Sequence, residues 1–196
     1  GLAVVYVGAS GAIGNLLDEN ANSLLFIISL AVGTLIGEWI DIEKRLGMLG
    51  DFIEKKMSNT TSDISLGFVT ASLIYCVGTM AILGSIESGI QNNHSILYAK
   101  SILDGVLSIV LASTLGIGVM FSAVSILVYQ GSITLCAVAL QPYITNDMMR
   151  EMGIVGGILI SVIGLNLLGI TKIKVGNMLP AIFIPVVYYV VKGMIL

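Results

Sequence analysis

Ionisable side chains are rare in this sequence, and the most informative of them is Asp104. It is the one charged residue in the long apolar stretch from Ser101 to Pro142. Lys100 precedes Asp104 by four residues and Ser108 follows it by four, a spacing that places the three on one helix face. An acid in so apolar a setting could bind a cation or relay a proton. Alternatively, Lys100 and Asp104 form a salt bridge that closes a helix end.

Glu38 is a second carboxylate inside an apolar run. It follows Gly33-Thr-Leu-Ile-Gly37, two glycines at the spacing that lets two helices approach closely. Glu38 is therefore a candidate intramembrane charge, and both glycines are candidate packing positions. The alternative is that its carboxylate reaches the membrane interface or pairs with Arg45.

A glycine pair, Gly116-Ile117-Gly118, divides the apolar stretch that contains Asp104. Ser113 and Thr114 stand just before it, and a line of polar residues follows from Ser122 to Thr134. Irregular backbone at such a break is tolerated only in a protein interior or a wet cavity. Two interpretations stay open: a path for an ion or small solute, or a tight hairpin whose hydroxyl groups bond to their own backbone.

Two asparagines complete the candidate set. Asn166 lies in the middle of an apolar run, where an amide usually bonds across helices. Asn177 opens the last apolar run, where asparagine is a good N-cap. The candidate ion- or solute-binding residues are Asp104, Ser113, Thr114, Gly116, Gly118, Gln130, Ser132, Asn166 and Asn177.

The composition indicates the elements that must position these residues. The 196 residues are 56% hydrophobic and 11% charged, with a mean hydropathy of +1.00, whereas soluble domains carry about 25% charged residues. Runs of about 20 apolar residues cross a bilayer as helices. We predict an all-α polytopic membrane helix bundle that forms a single transmembrane domain over 1–196, with a native first helix lying before Gly1. The predicted spans are 1–14, 22–40, 64–86, 97–115, 119–141, 152–170 and 177–196.

Residues 41–63 differ from these spans because they are not apolar all round. Charges separate apolar residues that recur every three or four positions, at Ile42, Leu46, Leu49, Ile53 and Met57. This pattern predicts an amphipathic helix in the membrane interface. Basic residues concentrate here and in 171–176, and seven spans place both segments on one side. The positive-inside rule makes that side cytoplasmic.

Three apolar runs share a glycine pattern with an asparagine beyond it. The three copies are Gly8–Gly14 with Asn22, Gly78–Gly84 with Asn92, and Gly164–Gly169 with Asn177. The first and last copies would run in opposite directions, as in the inverted repeats of many secondary transporters. Alternatively, they look alike because glycine is common in membrane helices. The four glycines Gly78, Gly84, Gly164 and Gly169 are further packing candidates.

Several longer motifs extend over most of the chain, namely Gly37–Glu43, Gly67–Leu73, Gly78–Ser85, Lys100–Gly105, Ser113–Gly118, Tyr129–Thr134 and Gly164–Asn177. Together they resemble the bacterial integral membrane family called domain of unknown function 554. The resemblance implies a multi-pass protein of the bacterial inner (plasma) membrane, and it places Asp104, Gln130 and Asn166 within the family pattern. It implies no activity.

These observations favour a small transporter or channel for an ion or small solute. Because seven short spans enclose little space, we expect a homodimer. The alternative is a non-transporting scaffold that binds partner proteins through 41–63. His94 has no partner at metal-ligand spacing, and the sequence contains no nucleophile–base pair or cofactor motif. We therefore expect no enzyme, metal or cofactor, and the net charge of −3 gives no reason to expect a nucleic-acid partner.

Overall fold

The structure is a computed structural model that describes residues 1–56 and 64–195, and in these residues it is all-helical. The α-helices are α1 Leu2–Leu16, α2 Ser23–Ile40, α3 Ile42–Lys56, α4 Ile64–Val77, α5 Thr79–Gln91, α6 Ser95–Leu115, α7 Gly118–Leu135, α8 Ala137–Leu140, α9 Asn146–Leu167 and α10 Ile184–Ile195. Two 3-10 segments, Gln141–Tyr143 and Val175–Phe183, precede α9 and α10.

The described helices confirm the predicted membrane bundle. Five stretches are long and apolar enough to cross a membrane, and α4 with α5 would form a sixth as one bent span. The apolar helix α1 is shorter. About seven apolar elements therefore match the predicted count. Helix α3 covers the amphipathic segment as far as Lys56, and the remaining predicted positions, 57–63, lie outside the described residues.

The chain divides into two compact units, which we call unit 1 (1–42, 77–79 and 142–196) and unit 2 (43–76 and 80–141). In unit 1, α1 runs antiparallel to α9 along a seam of small residues. A Cβ on Gly8 would lie 2.6 Å from the Gly157 carbonyl oxygen, and one on Gly157 would lie 2.6 Å from the Gly8 carbonyl oxygen. Such close backbone approach is what glycine permits between membrane helices.

The second helix of unit 1, α2, packs against the 3-10 segment Val175–Phe183. Gly33 contacts the Ala181 backbone and Gly37 contacts the Asn177 backbone, so the two predicted packing glycines lie at one interface. Leaving a side chain off these positions allows the irregular backbone of the 3-10 segment to be covered by protein.

In unit 2, α4 runs parallel to α7 and antiparallel to α6. Ile64 at the start of α4 contacts Gly118 at the start of α7. About two turns further along α4 and α7, the Ser72 hydroxyl donates to the Ser125 hydroxyl oxygen at 3.0 Å. The packing of α4 against α6 and α7 brings together the side chains described below.

Three boundaries differ from the sequence predictions. The predicted span 64–86 is broken at Gly78, where α4 and α5 bend by 63°. The Val77 carbonyl at this break packs against Gly156, so the irregular backbone is covered. Helix α9 begins at Asn146 rather than 152, because the Thr145 hydroxyl oxygen accepts a hydrogen bond from the Met148 N–H at 3.1 Å.

The last predicted helix does not begin as an α-helix. Residues Val175–Phe183 are 3-10, with Lys174 at the N-cap, so the predicted capping role of Asn177 is wrong. Pro180 lies inside this segment and has no N–H for an α-helical hydrogen bond. Asn22 does cap its helix, since its side-chain oxygen accepts from the N–H groups of Leu24 and Leu25.

Candidate functional site

Unit 2 contains a cavity of about 510 Å³ between α6 and α7, and Tyr75 of α4 contributes to its wall. Most of its wall is apolar, as expected for the interior of a membrane bundle. Its polar lining consists of Tyr75, Lys100, Ser101, Asp104, Ser108, Ser122 and Gln130. Asp104 and Gln130, which the sequence singled out as binding candidates, are thus brought to one cavity.

The charged part of this lining is an ion pair between Lys100 and Asp104 on successive turns of α6. Lys100 is only 6% exposed, and its ammonium lies 5.9 Å from the centre of the Tyr75 ring. A buried ammonium without a partner is costly, and the Asp104 carboxylate is that partner here. The salt-bridge interpretation of Asp104 is therefore correct in geometry, and the pair also lines a cavity.

Hydroxyl and amide groups extend the polar surface beyond the ion pair. The Tyr75 and Ser108 hydroxyls share a hydrogen bond of 2.6 Å. The Ser122 hydroxyl donates to the Val119 carbonyl oxygen at 2.7 Å. The half-buried Gln130 side chain makes no hydrogen bond with another described residue, which leaves its amide available to a bound species.

The residues around the glycine pair form a hairpin, and they are not among those that line this cavity. The Ser113 hydroxyl donates to the Val110 carbonyl oxygen at 2.7 Å, and the Thr114 hydroxyl donates to the Leu111 carbonyl oxygen at 3.0 Å. Gly116 has φ of 75°, which suits glycine in the two-residue turn between α6 and α7. The turn thus joins the ends of two span-length helices.

Other candidates on these helices are also satisfied locally. The Ser132 hydroxyl donates to the Tyr129 carbonyl oxygen at 2.8 Å. Gly118 is pressed against the Ile64 carbonyl, so it serves packing of α7 on α4. Glu38 is exposed on α2.

The two candidate asparagines lie in unit 1. Asn166 organises the turn after α9: its side-chain N–H donates to the Ile173 carbonyl oxygen at 2.7 Å, and its oxygen accepts from the Thr171 hydroxyl at 2.7 Å. Asn177 is fully buried, and its side-chain N–H donates to the Asp41 carboxylate at 3.4 Å. Asn166 therefore fixes a backbone turn of unit 1, and Asn177 links the 3-10 segment to the end of α2 in the same unit.

Sequence reasoning missed Glu151, the one fully buried carboxylate among the described residues. One carboxylate oxygen accepts from the Asn22 backbone N–H at 2.7 Å, and the other is buried without a hydrogen-bond partner in the described part of the chain. The predicted spans leave Glu151 in the connection between 119–141 and 152–170. The cap at Thr145 was the available signal, because a helix starting there places Glu151 on the same face as Met148 and Val155.

A polar cluster lies at the start of α9, next to Glu151 in sequence. The Arg150 guanidinium contacts the Asp18 carboxylate at 3.3 Å and the Asp147 carboxylate at 2.7 Å, and it donates to the Asn20 carbonyl oxygen at 3.2 Å. The Asn20 backbone N–H, together with the Arg150 charge, holds the pKa of Asp18 below its usual value. The cluster ties the α1–α2 connection to α9.

Within residues 1–56 and 64–195, no group of three or more His, Cys, Asp or Glu side chains could hold a metal ion. The polar groups of the cavity are instead one ion pair, hydroxyls and an amide. Such groups can hold an ion or a small polar molecule by hydrogen bonds and charge, and they include no activated nucleophile.

Span-length apolar helices and polar groups enclosed between them define a multi-pass helical membrane protein. Residues 1–190 match the family described as "Protein of unknown function (DUF554)", and the chain belongs to this family. It is 40% identical over 194 residues to "Uncharacterized membrane protein YdfK" of Bacillus subtilis (strain 168), covering 98% of this chain and 82% of that protein. It is 30% identical over 182 residues to "Uncharacterized protein YqgA" of Escherichia coli (strain K12), covering 90% and 77%. No solved structure matches the chain.

Proposed function

We propose that this protein is a small transporter or channel for an ion or small polar solute, and that the cavity of unit 2 is its binding site. The observation that carries the proposal is the Lys100–Asp104 ion pair in the wall of this cavity. Ionisable groups inside a membrane domain are costly, and they commonly mark ion and substrate pathways.

The size and chemistry of the cavity limit what it would accept. Its volume of about 510 Å³ lies in the lower part of the range typical of ligand pockets. A bound ion would compete with one member of the pair, and a zwitterion would engage both Lys100 and Asp104. Gln130 and the Tyr75 and Ser108 hydroxyls supply neutral donors and acceptors beside them.

Ligand-induced stabilisation of purified protein tests this site. The probes are alkali-metal chlorides, small carboxylates and amino-acid zwitterions, each compared in wild type, Asp104→Asn and the control Asp147→Asn. Asp147 is an exposed carboxylate outside the cavity. We expect a probe that raises the melting temperature of wild type and of Asp147→Asn, with the shift lost in Asp104→Asn. An equal shift in all three proteins would contradict the site, and uptake into proteoliposomes then tests transport of the binding probe.

We also propose an inner-membrane location with α3 and residues 171–176 on the cytoplasmic side, supported by their basic residues. Cysteine accessibility in a variant lacking Cys76 and Cys136 tests the orientation. The cysteines of Lys55→Cys and Lys172→Cys should react with a membrane-impermeant thiol reagent only after the membrane is made permeable. The cysteine of Asn93→Cys should react with that reagent from outside. The reverse pattern would overturn the orientation.

An inverted repeat of α1–α2 with α9–α10 belongs to the same proposal. The support is reciprocal contact: Gly8 packs against Ser161, and Gly157 packs in the same manner against Ala12. In this pairing Gly8 corresponds to Gly157, so the register differs from the glycine pattern seen in the sequence. We also propose that the protein is a homodimer. The mass of the protein in a detergent-free nanodisc gives the number of protomers and tests this.

The second candidate function is a scaffold that binds a partner through α3. The observation that favours it is the exposure of Met48, Leu49 and Phe52 on a helix that also carries Lys55 and Lys56. If this candidate is correct, replacing the three apolar residues by serine abolishes partner recovery after cross-linking, and the cavity variant Asp104→Asn leaves it unchanged. The transporter proposal predicts that Asp104→Asn abolishes solute uptake and that the three serine replacements leave uptake unchanged.

A further inference from the structure

We infer that Glu151 is a proton-binding site of unit 1, separate from the cavity of unit 2. Its side chain has no solvent exposure, and it sits in α9, a helix of membrane-spanning length. One carboxylate oxygen has the Asn22 N–H, and the other has no hydrogen-bond partner among the described residues. A proton can bind the carboxylate oxygen that lacks a hydrogen-bond partner and so neutralise the buried carboxyl group.

Burial raises the free-energy cost of an ionised Glu151 side chain. An ionised carboxylate buried among apolar groups is stable only with enough donors or a counter-charge. The Asn22 N–H at the start of α2 supplies one donor, and the positive end of that helix favours negative charge nearby. A single N–H on a single oxygen leaves the second oxygen of Glu151 uncompensated. A proton placed on that oxygen removes the charge and leaves the bond to Asn22 intact.

The neighbouring ionisable groups do not supply the missing partner. On α9 itself, the charges of Arg150 and Asp147 lie within electrostatic range of Glu151. Arg150 forms its ion pairs with Asp18 of the α1–α2 connection and with Asp147, and no salt bridge to Glu151 occurs among the described residues. On α10, Tyr189 lies within electrostatic range of Glu151. The 3-10 segment Val175–Phe183, which also packs on α9, contains no ionisable residue.

The same surroundings favour a proton over a metal cation. Calcium and magnesium take six or more oxygen ligands, and a cation here would lie within electrostatic range of the positive charge of Arg150. No group of three acidic, histidine or cysteine side chains suited to a metal occurs in the described ranges. The Asp18–Arg150–Asp147 cluster marks the polar end of α9, and Glu151 follows it directly in sequence.

Proton binding predicts a specific dependence of stability on pH. If the native structure holds a proton that the unfolded chain has released, stability falls as pH rises. Replacing Glu151 by glutamine keeps the shape and removes the titration. Between about pH 5 and pH 8, the melting temperature of wild type should fall relative to Glu151→Gln, by about 3 °C per pH unit in the titrating range.

The control is Glu19→Gln, which removes an exposed carboxylate of the α1–α2 connection and should run parallel to wild type. Parallel curves for wild type and Glu151→Gln would overturn the inference. If Glu151→Gln does not fold, the infrared carbonyl-stretch band of a protonated carboxyl in wild type at neutral pH decides the question, and its absence overturns the inference. Sodium or potassium stabilisation that is lost in Glu151→Gln would assign the site to a metal cation and overturn the proton. None of these outcomes depends on solute binding in the unit 2 cavity.

Discussion

Each unit of this protein places a carboxyl group among apolar helices, and the two units compensate it differently. In unit 2, Asp104 pairs with the ammonium of Lys100 on the same helix. In unit 1, Glu151 accepts from a backbone N–H, and no salt bridge of Glu151 occurs among the described residues. A cationic partner requires the carboxylate to stay charged, whereas a backbone N–H serves both the charged and the neutral form. Unit 2 therefore holds a charged pair, and unit 1 holds a carboxyl group that can take up a proton.

Neutralising the two carboxyl groups should give the largest contrast. Asp104→Asn leaves Lys100 buried without a counter-charge, and the free energy of unfolding should fall by about 3 kcal/mol. Glu151→Gln keeps the acceptor for Asn22, so the loss at neutral pH should be below about 1 kcal/mol. Denaturant unfolding in detergent micelles measures both.

The double variant Lys100→Met with Asp104→Leu is the matched control for that contrast. It removes both charges and keeps apolar volume, so it should recover most of the stability lost in Asp104→Asn. If the double variant is as unstable as the single one, the pair acts through packing rather than charge, and the comparison of the two units fails.

The glycine seam of unit 1 should give the next largest effect. Gly8→Ala places a methyl group against the Gly157 carbonyl and the Ser161 backbone, and should destabilise the protein by about 1–3 kcal/mol. Gly11→Ala on the same helix is the control, because nothing lies within 4 Å of its Cβ position. Thermal unfolding of the two variants should separate them, and equal melting temperatures would contradict the α1–α9 packing.

The neutral hydrogen bond beside the ion pair should contribute less. Tyr75→Phe removes the bond to Ser108 and keeps the ring near Lys100, so we expect a loss of about 0.5–1.5 kcal/mol. A larger loss, comparable with that of Asp104→Asn, would mean that Tyr75 is part of the charged pair. Unfolding of Tyr75→Phe and Ser108→Ala, alone and combined, measures the coupling.

The smallest effect is expected at Asp18, which is exposed to water. Because the Asn20 N–H and Arg150 lower its pKa, its contribution to stability is present above the unfolded pKa and is lost as pH falls through the folded pKa. Wild type should therefore exceed Asp18→Asn in melting temperature at neutral pH and converge with it in acid. Asp18 therefore loses its contribution to stability in acid, whereas Glu151 loses its contribution as pH rises. If the pH dependence that separates wild type from Glu151→Gln disappeared in an Asp18→Asn background, the two carboxyl groups would form one coupled site.

Residue type and spacing were sufficient for part of the candidate site. Lys100, Asp104 and Ser108 lie on one face of α6 because residues four apart share a face of any α-helix. This placement does not depend on tertiary packing. Tyr75 could not be placed beside them from sequence, since it reaches the cavity from α4 through tertiary packing. Asn166 and Ser113 were candidates because they are polar. In the structure both side chains donate hydrogen bonds to nearby backbone carbonyl oxygens.

The sequence by itself determined the membrane class and most span positions, because transfer of apolar runs into lipid depends on length and composition alone. It also determined the close α2 contact at Gly33 and Gly37. Only the tertiary structure decided that the span 64–86 breaks at Gly78 and that Val175–Phe183 is 3-10, since irregular backbone survives only where other helices cover it. It alone identified Glu151, because a carboxyl group becomes informative when packing removes its water and leaves one oxygen without a partner.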